Sequence, residues 1–232
     1  MKVAVLTAFA LLASCNETPT DHTGGHIEAA ETGDESAAPS AAPAAATEGT
    51  AQAPAPPAGR AQAIFAGGCF WCMEGPFEAI DGVDSVESGY TGGQVDGVTY
   101  RQLGTGTTGH YEAVRVVYDP EAVSYVRLLE VFFRNIDPTQ ADGQFCDRGP
   151  QYRSAIFTAT EEERATAAAA IQRTAEHLDA RVVTEVLDAA PFWLAEDYHQ
   201  DYYRTHPVRY ATYRAGCGRD RRLEELWGES AH

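Results

Sequence analysis

Two cysteines three residues apart, Cys69 and Cys72, are the side chains best suited to chemistry in this sequence. They lie in the segment GGCFWCME, residues 67–74, between a short apolar run and a stretch with helical spacing. At the N-terminus of a helix, free backbone N–H groups and the helix dipole favour the thiolate, and lower a cysteine pKa from about 8.5 to roughly 3.5–7.5. We therefore expect a nucleophilic Cys69 with a lowered pKa. The alternative is an unreactive buried thiol.

The C-x-x-C spacing has two further interpretations. Two thiols at a strand-to-helix turn are typical of thioredoxin-like dithiol–disulfide exchange. A zinc site with four thiolates usually needs a second close pair of cysteines. The remaining cysteines, Cys15, Cys146 and Cys217, are far apart in the sequence. We therefore expect no metal site.

The elements that must position Cys69 follow from the apolar periodicity, which begins near residue 61. Ala63–Ala66 predicts a buried strand, and apolar residues at helical spacing from Phe70 to Ile80 predict a helix after it. The alternation that follows predicts an α+β fold, an α/β sandwich with helices packed on one mixed sheet. Further strands are predicted over 83–90, 111–118, 153–157 and 182–187, and further helices over 128–136, 161–178 and 195–205.

The N-terminus resembles a secretory signal. Lys2 is followed by an apolar run, residues 3–12, that is too short to span a bilayer. The run ends in LASC, residues 12–15, which is similar to the lipobox of bacterial lipoproteins. The similarity implies a signal peptide over 1–14 and a lipidated Cys15, with Asn16 favouring the outer membrane. An accidental apolar run in a cytosolic protein is the alternative.

Residues 15–60 are expected to form a disordered tether after Cys15. The segment 16–60 is rich in alanine, proline, glycine, threonine and acids, and Ile27 is its only large aliphatic residue. Such a composition buries too little apolar surface to offset the entropy of ordering. The folded domain is therefore predicted to span 61–232.

Charge excludes some classes of function. The chain has 34 acidic and 17 basic residues, a formal net charge of −17, which disfavours nucleic acid and anionic membrane surfaces as partners. Lys2 is the only lysine. Schiff-base chemistry in the folded domain is therefore excluded.

Four motifs together identify a family. GCFW at 68–71 is followed by a glycine-rich segment, 89–93, that leads through Tyr100 to TTGHYE at 107–112. The others are GQFCDRGPQYRS at 143–154 and AEDYHQ at 195–200. In this order they resemble peptide methionine sulfoxide reductase A, and the resemblance runs from about residue 63 to 228. It implies a ferredoxin-like core and reduction of methionine sulfoxide.

The resemblance implies a nucleophile and an acid. Cys69 matches the catalytic cysteine, whose thiolate attacks the sulfoxide sulfur. Glu112 matches the glutamate that protonates the sulfoxide oxygen, because an oxide is a poor leaving group. Such a carboxyl needs a raised pKa, so we expect Glu112 to be buried. His110 and His199 lie in matching motifs, and structural hydrogen bonding is expected of each.

Other matching residues surround the substrate. Tyr100 and Tyr152 match tyrosines that hydrogen-bond the sulfoxide oxygen, as in an oxyanion hole. Asp147 matches a polar residue that helps to orient this site. Phe70 and Trp71 match the aromatic pocket for the substrate methyl group, and both could also pack in the core.

Attack by Cys69 leaves a sulfenic acid, which a second thiol can capture. Cys217, among glycines near the C-terminus, is the favoured resolving cysteine because a mobile segment could reach the site. Cys72 is the second choice, since one helical turn limits disulfide geometry. Cys146 could act directly or relay the disulfide. Many family members have glycine at the position of Cys72, which leaves the order of exchange open.

The leading hypothesis is a monomeric, lipid-anchored, periplasmic reductase of methionine-S-sulfoxide, free or in oxidised proteins. The family implies no bound cofactor and a thioredoxin-like protein or other dithiol as reductant. One rival is a general dithiol–disulfide oxidoreductase that uses Cys69 and Cys72. The other is a tethered binding domain whose cysteines are structural.

Overall fold

The computed structural model describes residues 49–228. The predicted signal peptide, the lipidated Cys15 and most of the predicted tether lie outside these residues. Within them, none of the helices combines the length and the apolar character needed to cross a membrane.

The described chain alternates strands and helices, and it contains more short elements than the sequence predicted. The strands are β1 Ala61–Gly67, β2 Val83–Thr91, β3 Tyr111–Tyr118, β4 Gly143–Gln144, β5 Asp147–Arg148, β6 Ser154–Thr158, β7 Glu185–Asp188 and β8 Trp193–Leu194. The helices are α1 Trp71–Glu78, α2 Tyr100–Leu103, α3 Tyr125–Arg134, α4 Glu161–Leu178, α5 Tyr202–Thr205, α6 Pro207–Gly216 and α7 Arg219–Trp227. Single 3₁₀ turns cover Pro150–Tyr152 and Asp197–His199.

Six strands form one mixed sheet in the order β7-β6-β1-β3-β2-β8, and β4 and β5 form a separate hairpin. β1, α1, β2, β3, α3 and β6 form a βαββαβ unit whose strands interleave in the sheet, which is the ferredoxin-like arrangement. β7 then pairs with β6 in parallel after the crossover through α4. The predicted α+β sandwich is confirmed.

Both faces of the sheet at β1 are covered by other parts of the chain, and the apolar residues 63–66 fit these two buried faces. Ala63 and Phe65 face the larger core, where α1, α3 and α4 pack on the sheet. Ile64 and Ala66 point to the other face and pack with Phe157, Phe192 and their neighbours. Alternate side chains of a strand point to opposite faces, so an uninterrupted apolar run fits a doubly covered strand.

The glycines before Cys69 form the tight turn that the sequence predicts. Gly68 has φ +79°, a left-handed conformation that side chains disfavour, and a Cβ there would lie 2.4 Å from the Cβ of Gln144. The turn places Cys69 between the end of β1 and the start of α1.

The end of the predicted tether is part of the folded unit. Gln52 forms a bridge with Trp193 of β8, and the Ala53 N–H donates to the Phe192 carbonyl oxygen at 2.8 Å. Residues 49–60 therefore lie within the described fold, although their composition predicts a disordered linker. Backbone hydrogen bonds, which composition does not reveal, hold this segment at the sheet edge.

The predicted helix over 195–205 is broken. The 3₁₀ turn Asp197–His199 and the short α5 are separated at Asp201, which adopts a left-handed φ of +52°. The Asp201 N–H donates to the buried Glu74 carboxylate at 3.3 Å. This tertiary contact overrides the helical pattern.

Candidate active site

Cys69 is buried, with 6% of its surface exposed, and its sulfur is hydrogen-bonded to that of Cys72. Burial raises the pKa of the Cys69 thiol well above its usual range, and the Cys72 hydrogen bond and nearby carboxyl groups act in the same direction. The expectation of a lowered pKa at Cys69 is therefore wrong for the free protein.

A backbone N–H group at the helix N-terminus binds a carboxyl group and not the Cys69 thiol. The Phe70 N–H, just before α1, donates to Glu112 Oε2 at 3.2 Å. The helix dipole remains, but its first donor is occupied and the Cys69 sulfur is removed from water. Desolvation dominates because it penalises the charged form of the thiol directly.

Cys72 is the more acidic thiol of the pair. The hydrogen bond from Cys69 lowers the pKa of Cys72 to about 6, and the guanidinium groups of Arg219 and Arg214 favour the same thiolate. The Tyr210 hydroxyl is also hydrogen-bonded to this sulfur. These contacts favour the thiolate form of Cys72. We call Cys69 and Cys72 the buried thiol pair.

Glu112 has the surroundings that a proton donor needs. It is the second residue of β3, only 1% exposed, and hydrogen-bonded to Tyr152. Burial raises its pKa well above the usual value, and the Asp147 carboxylate raises it further. The raised pKa favours the protonated form of the carboxyl, the form that a proton donor needs.

The two predicted tyrosines come together beside this acid. The hydroxyls of Tyr100 and Tyr152 are hydrogen-bonded to each other, although the residues lie on α2 and the 3₁₀ turn after β5. The charge of Glu112, when ionised, raises the pKa of Tyr152, and burial raises that of Tyr100. Both hydroxyls therefore remain protonated donors.

Asp147 begins β5 and lies close enough to both Cys69 and Glu112 to raise their pKa values. Its Oδ2 accepts a hydrogen bond from the Tyr213 hydroxyl at 2.5 Å. Burial raises the pKa of Asp147 itself. The aspartate links the β4–β5 hairpin to α6 at the edge of the site.

The aromatic residues after Cys69 have different surroundings. Phe70 is fully buried against Tyr90 and His199. Trp71 is half-buried, and its ring stacks on Tyr202 with centroids 3.8 Å apart. Phe70 therefore packs the core behind the site, while Trp71 keeps an exposed edge.

The two motif histidines make structural contacts. His199 Nδ1 accepts from the Trp71 indole N–H at 3.1 Å, and burial lowers the His199 pKa to about 4. His110 accepts from the Gly93 N–H at 3.2 Å and contacts the Val95 carbonyl oxygen at 2.9 Å. His199 therefore orients an aromatic side chain, and His110 braces the loop after β2.

A second sulfur pair lies at the surface. Cys146 and Cys217 form a disulfide with Cα atoms 4.9 Å apart, while Cys69 and Cys72 are free thiols. Cys146 is exposed at the turn of the β4–β5 hairpin, and Cys217 ends α6. We call this pair the surface disulfide. Cys217, expected to capture Cys69, is bonded here to the proposed relay cysteine.

The sequence matches one family over most of its length. The family model described as "Peptide methionine sulfoxide reductase" matches residues 61–231. The chain belongs to this family. The match begins at the first residue of β1, so the segment 49–60 precedes the matched region.

Curated members of the family are similar over nearly their full length. Peptide methionine sulfoxide reductase MsrA 2 of Caulobacter vibrioides is 50% identical over 167 residues, 72% of this chain and 85% of the relative. The MsrA of Limosilactobacillus reuteri is 49% identical over 168 residues, 71% of this chain and 95% of the relative.

Solved structures of the family share the fold. Methionine sulfoxide reductase A of Corynebacterium diphtheriae has a TM-score of 0.59 and 34% identity, covering 66% of this chain and 77% of that one. Reduced Mxr1 of Saccharomyces cerevisiae has a TM-score of 0.62 and 28% identity, covering 65% and 88%.

Sequence reasoning missed the side chains that α6 and α7 bring to the site. Tyr210, Tyr213 and Arg214 lie at positions i, i+3 and i+4 of α6, a spacing that places them on one helix face. Arg219 follows Cys217 by two residues and is fully buried, with its guanidinium donating to the Gly67 carbonyl oxygen at 3.1 Å. The helical spacing was visible in the sequence, but nothing there indicated that this face meets the thiol pair.

Glu196 was also missed, although its motif was recognised. Its carboxylate accepts from the Tyr100 N–H at 2.9 Å and from the Tyr90 hydroxyl at 2.7 Å. It therefore holds the backbone of one of the predicted oxygen-binding tyrosines.

Only one group of described residues brings three sulfur and carboxylate donors together, namely Cys146, Asp147 and Cys217. Its two sulfurs are bonded to each other and so are not thiolate ligands. In this form the group lacks the donors that a zinc ion requires.

Proposed function

We propose that the protein is a thiol-dependent peptide-methionine (S)-S-oxide reductase. The observation that carries the proposal is the meeting of Cys69 with a buried Glu112, whose pKa is raised, and two tyrosine hydroxyls. This arrangement pairs a sulfur nucleophile with a proton donor for an oxygen that must leave. Family membership supports the same reaction.

The reaction removes oxygen from sulfur. Tyr100 and Tyr152 donate hydrogen bonds to the sulfoxide oxygen, and Glu112 gives it a proton. The Cys69 sulfur attacks the substrate sulfur, forms a sulfur–sulfur bond and supplies two electrons. The protonated oxygen then leaves the substrate sulfur and bonds to the Cys69 sulfur as the sulfur–sulfur bond breaks, so that methionine is released and Cys69 is left as a sulfenic acid.

Cys72 acts as the base for this attack. Its thiolate accepts the Cys69 hydrogen bond in the free protein, so the Cys69 proton moves to Cys72 along that bond. Cys69 then holds the negative charge only while the substrate sulfur lies in front of it. The transfer needs no water, which the buried pair excludes.

Cys217 captures the sulfenic acid, and water is released as the Cys69–Cys217 disulfide forms. Cys217 follows Tyr213 by one helical turn, and the Tyr213 ring lies 5.9 Å from that of Trp71, beside the thiol pair. The Cys146 thiolate then attacks the Cys217 sulfur, and Cys69 leaves as a thiolate. The product is the surface disulfide.

A protein dithiol reduces the surface disulfide. The Cys146 sulfur belongs to an exposed residue, whereas Cys69 is nearly inaccessible to a second protein. A thioredoxin-like reductant is therefore proposed to attack the surface disulfide. No bound cofactor takes part in this scheme.

Cys72 is the second candidate for resolution. Its thiolate is already hydrogen-bonded to Cys69, so direct capture would give a Cys69–Cys72 disulfide and water. Peptide mapping after one equivalent of sulfoxide decides the order. The scheme above predicts a Cys146–Cys217 peptide, and a Cys69–Cys72 peptide alone would contradict it.

The activity is tested with each epimer of methionine sulfoxide, free or peptide-bound, and dithiothreitol as reductant. Methionine should form from the S epimer. No turnover of that epimer, or full activity in both Cys69→Ser and Glu112→Gln, would contradict the proposal.

A general dithiol–disulfide oxidoreductase is disfavoured by burial. Cys72 is only 1% exposed, so neither sulfur of the thiol pair can reach a disulfide on another folded protein. That activity would depend on Cys72 and would survive both Glu112→Gln and Cys217→Ser, whereas the reductase requires Glu112. The two reactions are therefore separable.

We also propose that the reductase domain is tethered to the periplasmic face of a membrane, with the outer membrane favoured. The lipobox-like segment before Cys15 supports lipidation, and the acid-rich composition of 16–48 suits a linker. Metabolic labelling with a fatty acid should mark the full chain and not Cys15→Ser. Equal labelling of both would refute the anchor.

A further inference from the structure

The five residues 49–53 contact two segments that both lead to Tyr100, namely 97–98 and 192–194. We call residues 49–53 the strap. They precede the region matched by the family model, which begins at residue 61. Within the described residues they form an added edge beside β8.

The strap holds the loop that leads into Tyr100. The Thr50 N–H donates to the Gly97 carbonyl oxygen at 3.1 Å, and the Thr50 hydroxyl donates to the Val98 carbonyl oxygen at 2.8 Å. Two residues later, Tyr100 starts α2. The loop contains Gly92, Gly93 and Gly97, so it has little conformational preference of its own.

The contact at the first residue of the strap is unusually close. A Cβ at Gly49 would lie 2.4 Å from the Gly97 carbonyl oxygen. Gly97 has φ +61°, a left-handed conformation that glycine adopts readily. Two glycines thus allow the backbones of the strap and the loop to touch.

The strap also holds the segment that supports Tyr100 from the other side. The Leu194 N–H donates to the Ala51 carbonyl oxygen at 2.8 Å, and the Ala53 N–H donates to Phe192. Two residues beyond Leu194, Glu196 accepts from the Tyr100 N–H at 2.9 Å. The loop before Tyr100 and the segment before Glu196 are therefore both hydrogen-bonded to the strap.

We propose that the strap is a positioning element of the active site, which fixes the Tyr100 hydroxyl where it receives the sulfoxide oxygen. The inference rests on the proposed reductase function for the role of Tyr100. It assigns residues 49–53 a task distinct from that of a spacer. A hydrogen-bond donor must be aimed at the oxygen before reaction to contribute fully.

Thr50→Val in the full chain tests the strap, because it removes one hydroxyl and keeps the shape of the side chain. Loss of one aligned hydrogen bond predicts a roughly three- to tenfold fall in kcat/KM for methionine-S-sulfoxide. Thr166→Val is the matched control, since its exposed hydroxyl donates to the Glu162 carbonyl oxygen, also at 2.8 Å. The control should change kcat/KM less than twofold.

A double-mutant cycle separates positioning from general destabilisation. In a Tyr100→Phe background there is no hydroxyl left to aim, so Thr50→Val should have almost no further effect. The same fold-loss in both backgrounds would overturn the proposal, as would an unchanged kcat/KM for Thr50→Val. Gly49→Val, which forces the strap and the loop apart, should likewise lower kcat/KM in the wild-type background and have almost no effect in the Tyr100→Phe background.

Hydrogen exchange provides a readout that does not need activity. Thr50→Val should speed amide exchange in residues 97–104, and Thr166→Val should not. If the wild-type chain reduces no sulfoxide, the proposed function fails, and this measurement still decides whether the strap holds the loop. Unchanged exchange in Thr50→Val would refute the strap.

Discussion

The two sulfur pairs differ in burial, and the proposed scheme gives them different tasks. Cys69 and Cys72 are 6% and 1% exposed. Burial raises the pKa of Cys69, whereas the hydrogen bond from Cys69 and two guanidinium groups lower that of Cys72. Cys146 is exposed on a hairpin turn and bonded to Cys217. Desolvation favours controlled proton transfer to a small substrate, whereas exposure favours exchange with another protein. In the proposed scheme, the attack on the substrate and the reduction by a second protein therefore take place at separate sulfur pairs.

The largest expected effect tests the buried pair. Cys69→Ser should lower methionine formation by at least about a thousandfold, because the nucleophile is lost. Cys146→Ser should leave the first turnover intact, which single-turnover kinetics can measure. Equal losses in the two variants would show that the pairs do not have separate tasks.

Glu112→Gln should lower kcat/KM by about a hundredfold to ten-thousandfold, because the amide cannot donate the required proton. Glu112 must be protonated to act, and its pKa is raised by burial. The wild-type activity should therefore fall as pH rises through this raised pKa. A pH profile of kcat/KM should lose that descending limb in Glu112→Gln, and an unchanged limb would assign it to another group.

The surface pair is tested by changing the reductant. Cys146→Ser should slow steady-state turnover roughly tenfold with a thioredoxin-type protein, since the disulfide would remain near the buried site. With dithiothreitol, a small molecule, the loss should be smaller. An equal loss with both reductants would argue against Cys146 as the residue that presents the disulfide to a protein.

A smaller effect is expected on the pKa of Cys72 in the buried thiol pair. Tyr210→Phe removes a hydrogen bond to the Cys72 thiolate and should raise the Cys72 pKa from about 6 by roughly half a unit to one unit. Ultraviolet absorbance of the thiolate against pH measures this shift. Tyr203→Phe, whose hydroxyl donates to Glu78, is the control and should leave the titration unchanged.

Residue types and their order in the chain were sufficient to predict the α+β fold and to select residues that the fold brings together, among them Cys69, Glu112, Tyr100 and Tyr152. The apolar run Ala63–Ala66 predicted a strand, and it lies within the observed β1. The prediction succeeded because a strand that is buried on both faces has an uninterrupted apolar sequence. The helix after Cys69 followed from its 3.6-residue spacing. These features depend on local periodicity, which a sequence displays directly.

The features that were missed depend on contacts between distant segments. The approach of α6 to Cys72 joins residues more than a hundred positions apart, and the strap has a composition typical of a linker. Neither leaves a periodic signal. The Asp201 N–H contact with Glu74 likewise breaks a helix that the spacing alone predicted.

By itself, the sequence determined the family and predicted the nucleophile and the acid, because these depend on which residue types occur in which order. Only the tertiary structure decided the charge state of the thiols. Cys69 lies just before helix α1, but burial and the nearby Glu112 and Asp147 raise its pKa, while Arg214 and Arg219 favour the thiolate of Cys72. Electrostatic energies depend on distance and solvation, and both are set by the folded chain.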